Sequence, residues 1–188
     1  VSIISGKISK NHKVFNLGQQ LPKNLINIWD VLTKNKINCW IWGPMNSNYK
    51  KNNFLKLFFP DPWNYRVLPY PRDLEYLYFL PRYYAKNYLD LKKSNIIKFT
   101  LYFIYGLLKN NILFFLFKNF IFLFKVLCLR GIKNFILFFL FDLLSLHIFS
   151  HKLKLNDKQF SFIFLNSLAH YQHNNWNEEK NEKIYFNF

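Results

Sequence analysis

Near the end of the chain an apolar run, Phe160-Ser161-Phe162-Ile163-Phe164-Leu165, gives way to Asn166-Ser167-Leu168-Ala169-His170-Tyr171-Gln172-His173. The run reads as a core strand, so two histidines three positions apart follow its carboxyl end. Neutral imidazole is a common metal ligand, so His170 and His173 have the side-chain chemistry that metal sites use. Two histidines fall short of a full site, and a polar cluster at a strand end is the plainer reading of the pair. Asn166 suits a turn after a strand, where its side chain bonds nearby backbone. His12 suits a structural hydrogen bond, while His147 and His151 lie in a stretch with no site context. Cys39 and Cys128 are far apart in apolar surroundings, without a C-x-x-C pair, and read as buried free thiols of a reducing, cytoplasmic compartment.

The elements that must position these groups can be read along the chain. Leu25, Ile28, Trp29 and Leu32 follow the i, i+3, i+4, i+7 rule and mark a helix over 23–35 with one apolar face. Ile37 to Trp42 is rich in β formers, stops at Gly43-Pro44 and reads as a buried strand. Helix followed at once by strand is α/β organisation. Residues 44–53 read as a polar loop. Phe58-Phe59-Pro60-Asp61-Pro62-Trp63 reads as a break in regular structure, since each proline fixes its own φ and restricts its predecessor. Pro69 and Pro71 make a second break. A helix interrupted near Pro81 is expected from Arg72 to Tyr88, then one or two helices over 94–130 ending at Arg130-Gly131, and another over 132–149. The Asn-rich, charged residues 177–188 read as a flexible tail.

Charge and hydropathy narrow the function classes. The formal net charge is +16 over 188 residues. Phe, Leu, Ile, Lys, Asn and Tyr dominate, the residues of AT-rich codons, so part of the Lys excess reflects composition rather than a polyanion partner. Lysines are scattered and form no dense basic block. The aromatics fall mostly on faces expected to be buried, which argues against a single-stranded nucleic-acid binder. From Phe99 to Phe149 the apolar blocks are cut by Lys109, Lys118, Lys125, Arg130, Lys133 and Asp142. No uncharged run reaches the roughly 18–20 residues of a membrane span, so packed amphipathic helices are expected, with association to a membrane surface as the alternative.

Three stretches resemble the alkaline phosphatase superfamily, in particular sulfatases and type I phosphodiesterase/nucleotide pyrophosphatase relatives. The first is Ser2-Ile3-Ile4-Ser5-Gly6-Lys7-Ile8-Ser9-Lys10-Asn11-His12-Lys13-Val14. It is similar to the segment S-[IL]-[LIV]-[ST]-G-x-x-P-x-x-H-G-[IV] that follows the nucleophile in that family. Ser5-Gly6 and His12 match, while Ser9 stands where the family has Pro and Lys13 where it has Gly. The second is Asn27-Ile28-Trp29-Asp30-Val31-Leu32 followed by Ile37 to Trp42, which repeats the family's next helix and strand. Pro60 to Trp63 also resembles one subgroup. The third is Asn166 to Trp176, similar to an N-x-x-A-H-x-x-H-x-x-W stretch of that subgroup. Asn166 and His170 match the spacing of D-x-x-G-H, where the family's Asp and His bind metal.

The resemblance implies an α/β fold, part of an alkaline phosphatase-like three-layer sandwich. Residues 1–176 would be a partial domain, with a helical insertion over about 72–149. It implies hydrolysis of a phosphate or sulfate ester through a covalent intermediate, with divalent metal ions, zinc or calcium, activating the nucleophile. By the family spacing the nucleophile falls before Val1, so no catalytic residue lies in this chain and the 188 residues alone are expected to be inactive. Lys7 and Asn166 are the candidate substrate contacts and His170 and His173 the candidate metal ligands.

Overall fold

Two single-turn helices open the chain, α1 (Ser2–Ser5) and α2 (Ser9–His12), each closed by a left-handed residue, Gly6 at φ 65° and Lys13 at φ 55°. The computed structural model describes residues 1–16, 18–19, 21–22, 24–87, 92–118, 133–153 and 159–166. Helix α3 (Ile28–Lys34) begins at Asn27, whose backbone N–H donates to the Asp30 carboxylate at 2.9 Å. That closes one of the orphan donors of the first turn and sets a negative charge at the positive helix end. The helix is shorter than the expected 23–35. Leu25 and Trp29 are buried, but Ile28 is 40 % exposed, because Leu25 lies in the turn before the cap and the helical phase starts after it.

Among the described residues the sheet has three parallel strands in the order β2-β1-β3. Strand β1 (Asn38–Trp42) is central, as the expected buried strand over 37–42 requires. Strand β2 (Leu55–Phe59) lies in a stretch whose Phe58-Phe59 were expected to belong to a break. The prolines end that strand instead of excluding it, since Pro60 and Pro62 lie beyond its last paired residue. Strand β3 (Gln159–Ile163) falls on the expected core run. Residues 43–54 connect β1 to β2 without a helix, and the chain between β2 and β3 carries the longer helices.

After β2, Tyr70 pairs back on Phe58 in an isolated antiparallel bridge. A 3-10 turn (Arg72–Leu74) then runs into α4 (Glu75–Asn87). The expected interruption at Pro81 is absent: Pro81 sits inside α4. Its ring φ suits a helix, and the cost is the bond that the Leu77 carbonyl would have accepted. Helices α5 (Lys93–Lys109), α6 (Leu113–Lys118) and α7 (Lys133–Lys152) follow. The end expected at Arg130-Gly131 and the 177–188 tail lie outside the described residues.

Alternation along β1 buries both faces of the sheet. Cys39 and Ile41 pack with Ile4, Trp29, Leu55 and Phe58 on the side of the N-terminal helices. Trp40 and Trp42 pack on the other side with Leu57, Phe59, Leu77, Tyr78 and Leu144. A register irregularity at Cys39/Trp40 lets Leu55 and Leu57, two apart in β2, serve opposite faces. Trp42 stacks on Phe59 at 4.0 Å between centroids and meets Phe149 edge-on at 6.5 Å. Each such pair adds about 0.5–1.5 kcal/mol beyond its burial. The architecture is therefore mixed α/β, a small parallel sheet covered by helices on both faces.

Candidate functional site at the carboxyl end of the sheet

Because the three strands are parallel, their carboxyl ends share one edge. Gly43-Pro44 leave β1, Pro60-Asp61 leave β2, and Phe164 to Asn166 leave β3. In open α/β sheets ligands gather in the crevice beyond this edge. Gly43 makes the edge close. Its N–H donates to the Phe59 carbonyl at 2.7 Å, and Phe164 donates to the Trp42 carbonyl at 2.9 Å. Gly43 has φ 74°, and a Cβ there would stand 2.5 Å from the Phe164 carbonyl oxygen.

Three polar side chains converge beyond the edge. Asp61 is fully buried, and its carboxylate accepts from the Trp63 N–H at 2.9 Å and from the Asn166 side-chain amide. The Asn166 backbone N–H donates to the carboxylate of buried Asp142, from α7, at 3.3 Å. Asn166 is thus gripped through both its nitrogens by two carboxylates on different elements. Burial pushes the Asp61 carboxyl up to about 6, with Asp142 adding to the rise, while the Trp63 and Asn166 hydrogen bonds pull it down. A carboxyl of that kind changes protonation close to neutral pH. Asp61 does not face solvent, and its link to the surface is half-buried Asn166. With one amide hydrogen on Asp61, the Asn166 side chain keeps its oxygen to meet a cation or donor and its second N–H to meet an acceptor.

A second layer braces this cluster. The Tyr78 hydroxyl donates to the Asn64 carbonyl at 2.7 Å, and burial raises its pKa well above the usual phenol range. The Asn64 side chain donates to the Ser47 carbonyl at 2.6 Å, and the Ser47 hydroxyl to the Pro44 carbonyl at 3.1 Å. The N-terminal segment joins the same loop: Gly18 N–H donates to Asn46 Oδ1 at 2.8 Å, and Asn46 Nδ2 to the Asn16 carbonyl at 2.6 Å.

The residues singled out by sequence divide as follows. Asn166 is in the cluster. Lys7 is exposed on the N-terminal segment, and it shares no hydrogen bond with Asn166 among the described residues. His170 and His173 lie outside the described residues. His12 is buried and structural: Nδ1 accepts from the Val14 N–H at 3.0 Å, so Nε2 carries the proton and donates to Ser2 Oγ at 2.9 Å. Cys39 is a buried free thiol, held up at about 11 by burial and then by Asp30. Sequence reasoning missed Asp61 and Asp142 as site residues. Asp61 was visible only as part of a Pro-Asp-Pro break. Asp142 had a signal, being the one acidic residue between Asp90 and Asp157, in a stretch otherwise basic and apolar.

Carboxylate and amide oxygens suit a hard cation such as calcium. Among the described residues, however, no group of three or more His, Cys, Asp or Glu side chains is placed to hold a metal ion. The described cluster does not by itself fit one. No family model matches the chain, and neither a curated protein nor a solved structure does.

Proposed function

We propose that this chain carries part of a metal-dependent hydrolase of phosphate or sulfate esters, related to the alkaline phosphatase superfamily. The observation that carries the reading is the convergence of Asp61, Asn166 and Asp142 beyond the carboxyl ends of parallel strands. Asn166 opens the stretch that resembles the family's metal-binding motif. A lesser support is the left-handed backbone of Gly6 and Lys13, the second standing where the family keeps a glycine.

In this reading Asn166 contacts a bound cation through its amide oxygen, and Asp61 and Asp142 hold Asn166 in place. Lys7 is a candidate contact for the anionic ester. The family's nucleophile has no assigned counterpart among these 188 residues. A divalent ion, zinc or calcium, would supply charge neutralisation there, with His170 or His173 among the side chains that would hold it.

Calorimetric titration of zinc and of calcium into the protein made from its complete coding sequence tests this assignment. One ion should bind, and His170→Ala/His173→Ala should weaken it by roughly tenfold to a hundredfold. Binding of equal strength in the double variant, or none in the parent chain, would contradict the metal assignment.

A further inference from the structure

Helix α5 buries one side and leaves the other bare. Phe103 and Leu107 face the core with Leu77 of α4, and Gly106 lies so close that a Cβ would stand 2.9 Å from Leu77. Ile97, Leu101, Ile104, Tyr105 and Leu108 are exposed, Ile97 at 63 % and Leu101 at 61 %. At about 100° per residue these five fall within a single stripe about 100° wide, opposite the buried side. The chain carries the exposure past buried Ile112 into α6, where Phe114 and Phe117 are 77 % and 82 % exposed. Two phenylalanines this bare, in the helix that follows an apolar stripe in the chain, are more than the scattered surface leucines of an ordinary fold.

The charge around the stripe selects its partner. Lys98 and Lys109 fall along one margin of it, at about 100–120° from Ile97 on the same helical wheel. Each lies over an aromatic ring, Lys98 at 5.8 Å from the centre of Tyr102 and Lys109 at 5.6 Å from that of Tyr76. Lys92 and Lys118 are exposed at the two ends of the α5–α6 segment. Every charged residue from Leu91 to Phe141 is a lysine or arginine. An apolar stripe bordered by long cationic side chains that lie on aromatic rings matches the boundary between anionic headgroups and acyl chains. Among the described residues no helix is long and apolar enough to cross a membrane, so the segment would lie on the surface.

We propose that the outer face of α5 and α6 docks on an anionic lipid surface, with the stripe and Phe114 and Phe117 entering the acyl boundary and Lys98, Lys109 and Lys118 meeting headgroups. The proposal is independent of the hydrolase reading. Flotation of the chain with vesicles of phosphatidylcholine, alone and with phosphatidylserine, tests it. The chain should float with the anionic vesicles and stay down with the neutral ones. Phe114→Ser/Phe117→Ser should abolish flotation, and Lys98→Gln/Lys109→Gln/Lys118→Gln should weaken it on the order of a hundredfold. Far-ultraviolet dichroism and tryptophan emission matching the parent would show that each variant is folded. If the serine variant does not fold, Leu101→Ser takes its place. Three results would overturn the proposal: no flotation with anionic vesicles, flotation unchanged in the folded serine variant, or a parent dimer that the serine variant converts to monomer.

Discussion

Asp61 has no contact with solvent, and its carboxyl titrates at about 6 against 3.8 in an unfolded chain. The folded state therefore binds this proton more tightly than the unfolded one. Its contribution to stability is greatest below the unfolded pKa, falls as pH rises through the window from 3.8 to about 6, and is flat above it. Over that window the loss is about 3 kcal/mol. Chemical denaturation from pH 3.5 to 7 should show this decline, and Asp61→Asn should flatten it (the titration range is about that of the group itself). A slope unchanged in the variant would mean that another carboxyl carries it. The isosteric amide also tests the grip on Asn166, since it removes the negative charge that the Asn166 side-chain N–H faces.

At the scale of the elements, the edge where β1, β2 and β3 end depends on a single backbone conformation. Gly43 adopts φ 74°, a left-handed value that costs other residues roughly 1–2 kcal/mol. The added Cβ would also meet the Phe164 backbone rather than a side chain able to swing away. Gly43→Ala should therefore destabilise the fold by more than about 2 kcal/mol, read as a lowered denaturation midpoint, and should do so by splaying β3 from β1. Such a change would disturb Asn166, two residues past Phe164, even before global unfolding. Much of this layout was legible in the residues. Ile37 to Trp42 is rich in β formers and stops at Gly43-Pro44, and the Phe160 run is bounded and β-rich. Strand β2 was hidden because its last two residues abut a Pro-Asp-Pro sequence, and local proline rules say nothing of pairing by the residues before it. Pro81 misled in the opposite sense, because packing of α4 against α5 and the core outweighs one missing hydrogen bond.

Across the whole molecule, the sheet is a small platform with helices on both faces and one polar edge. Asn166 was visible from sequence because it follows a strand directly. Asp61 and Asp142 were not, because they are 81 positions apart and meet only once α7 folds back over the end of β2. Contacts of that kind belong to tertiary packing, and no local pattern encodes them. The outer stripe of α5 was legible as amphipathic, but which side lies against the core depends on Gly106 and Leu77 meeting. The cluster and the stripe are supplied by different elements, so their proposed functions stand or fall separately.

The most direct measurement is turnover of bis(p-nitrophenyl) phosphate and p-nitrophenyl sulfate by the protein made from its complete coding sequence, with zinc or calcium and with chelator. Ion-dependent hydrolysis of one of these esters is expected, strongly reduced by Asn166→Ala, with none from the 188-residue chain alone. Hydrolysis that survives chelation or Asn166→Ala, or no hydrolysis of either ester, would contradict the assignment of the carboxyl-end cluster to ester hydrolysis.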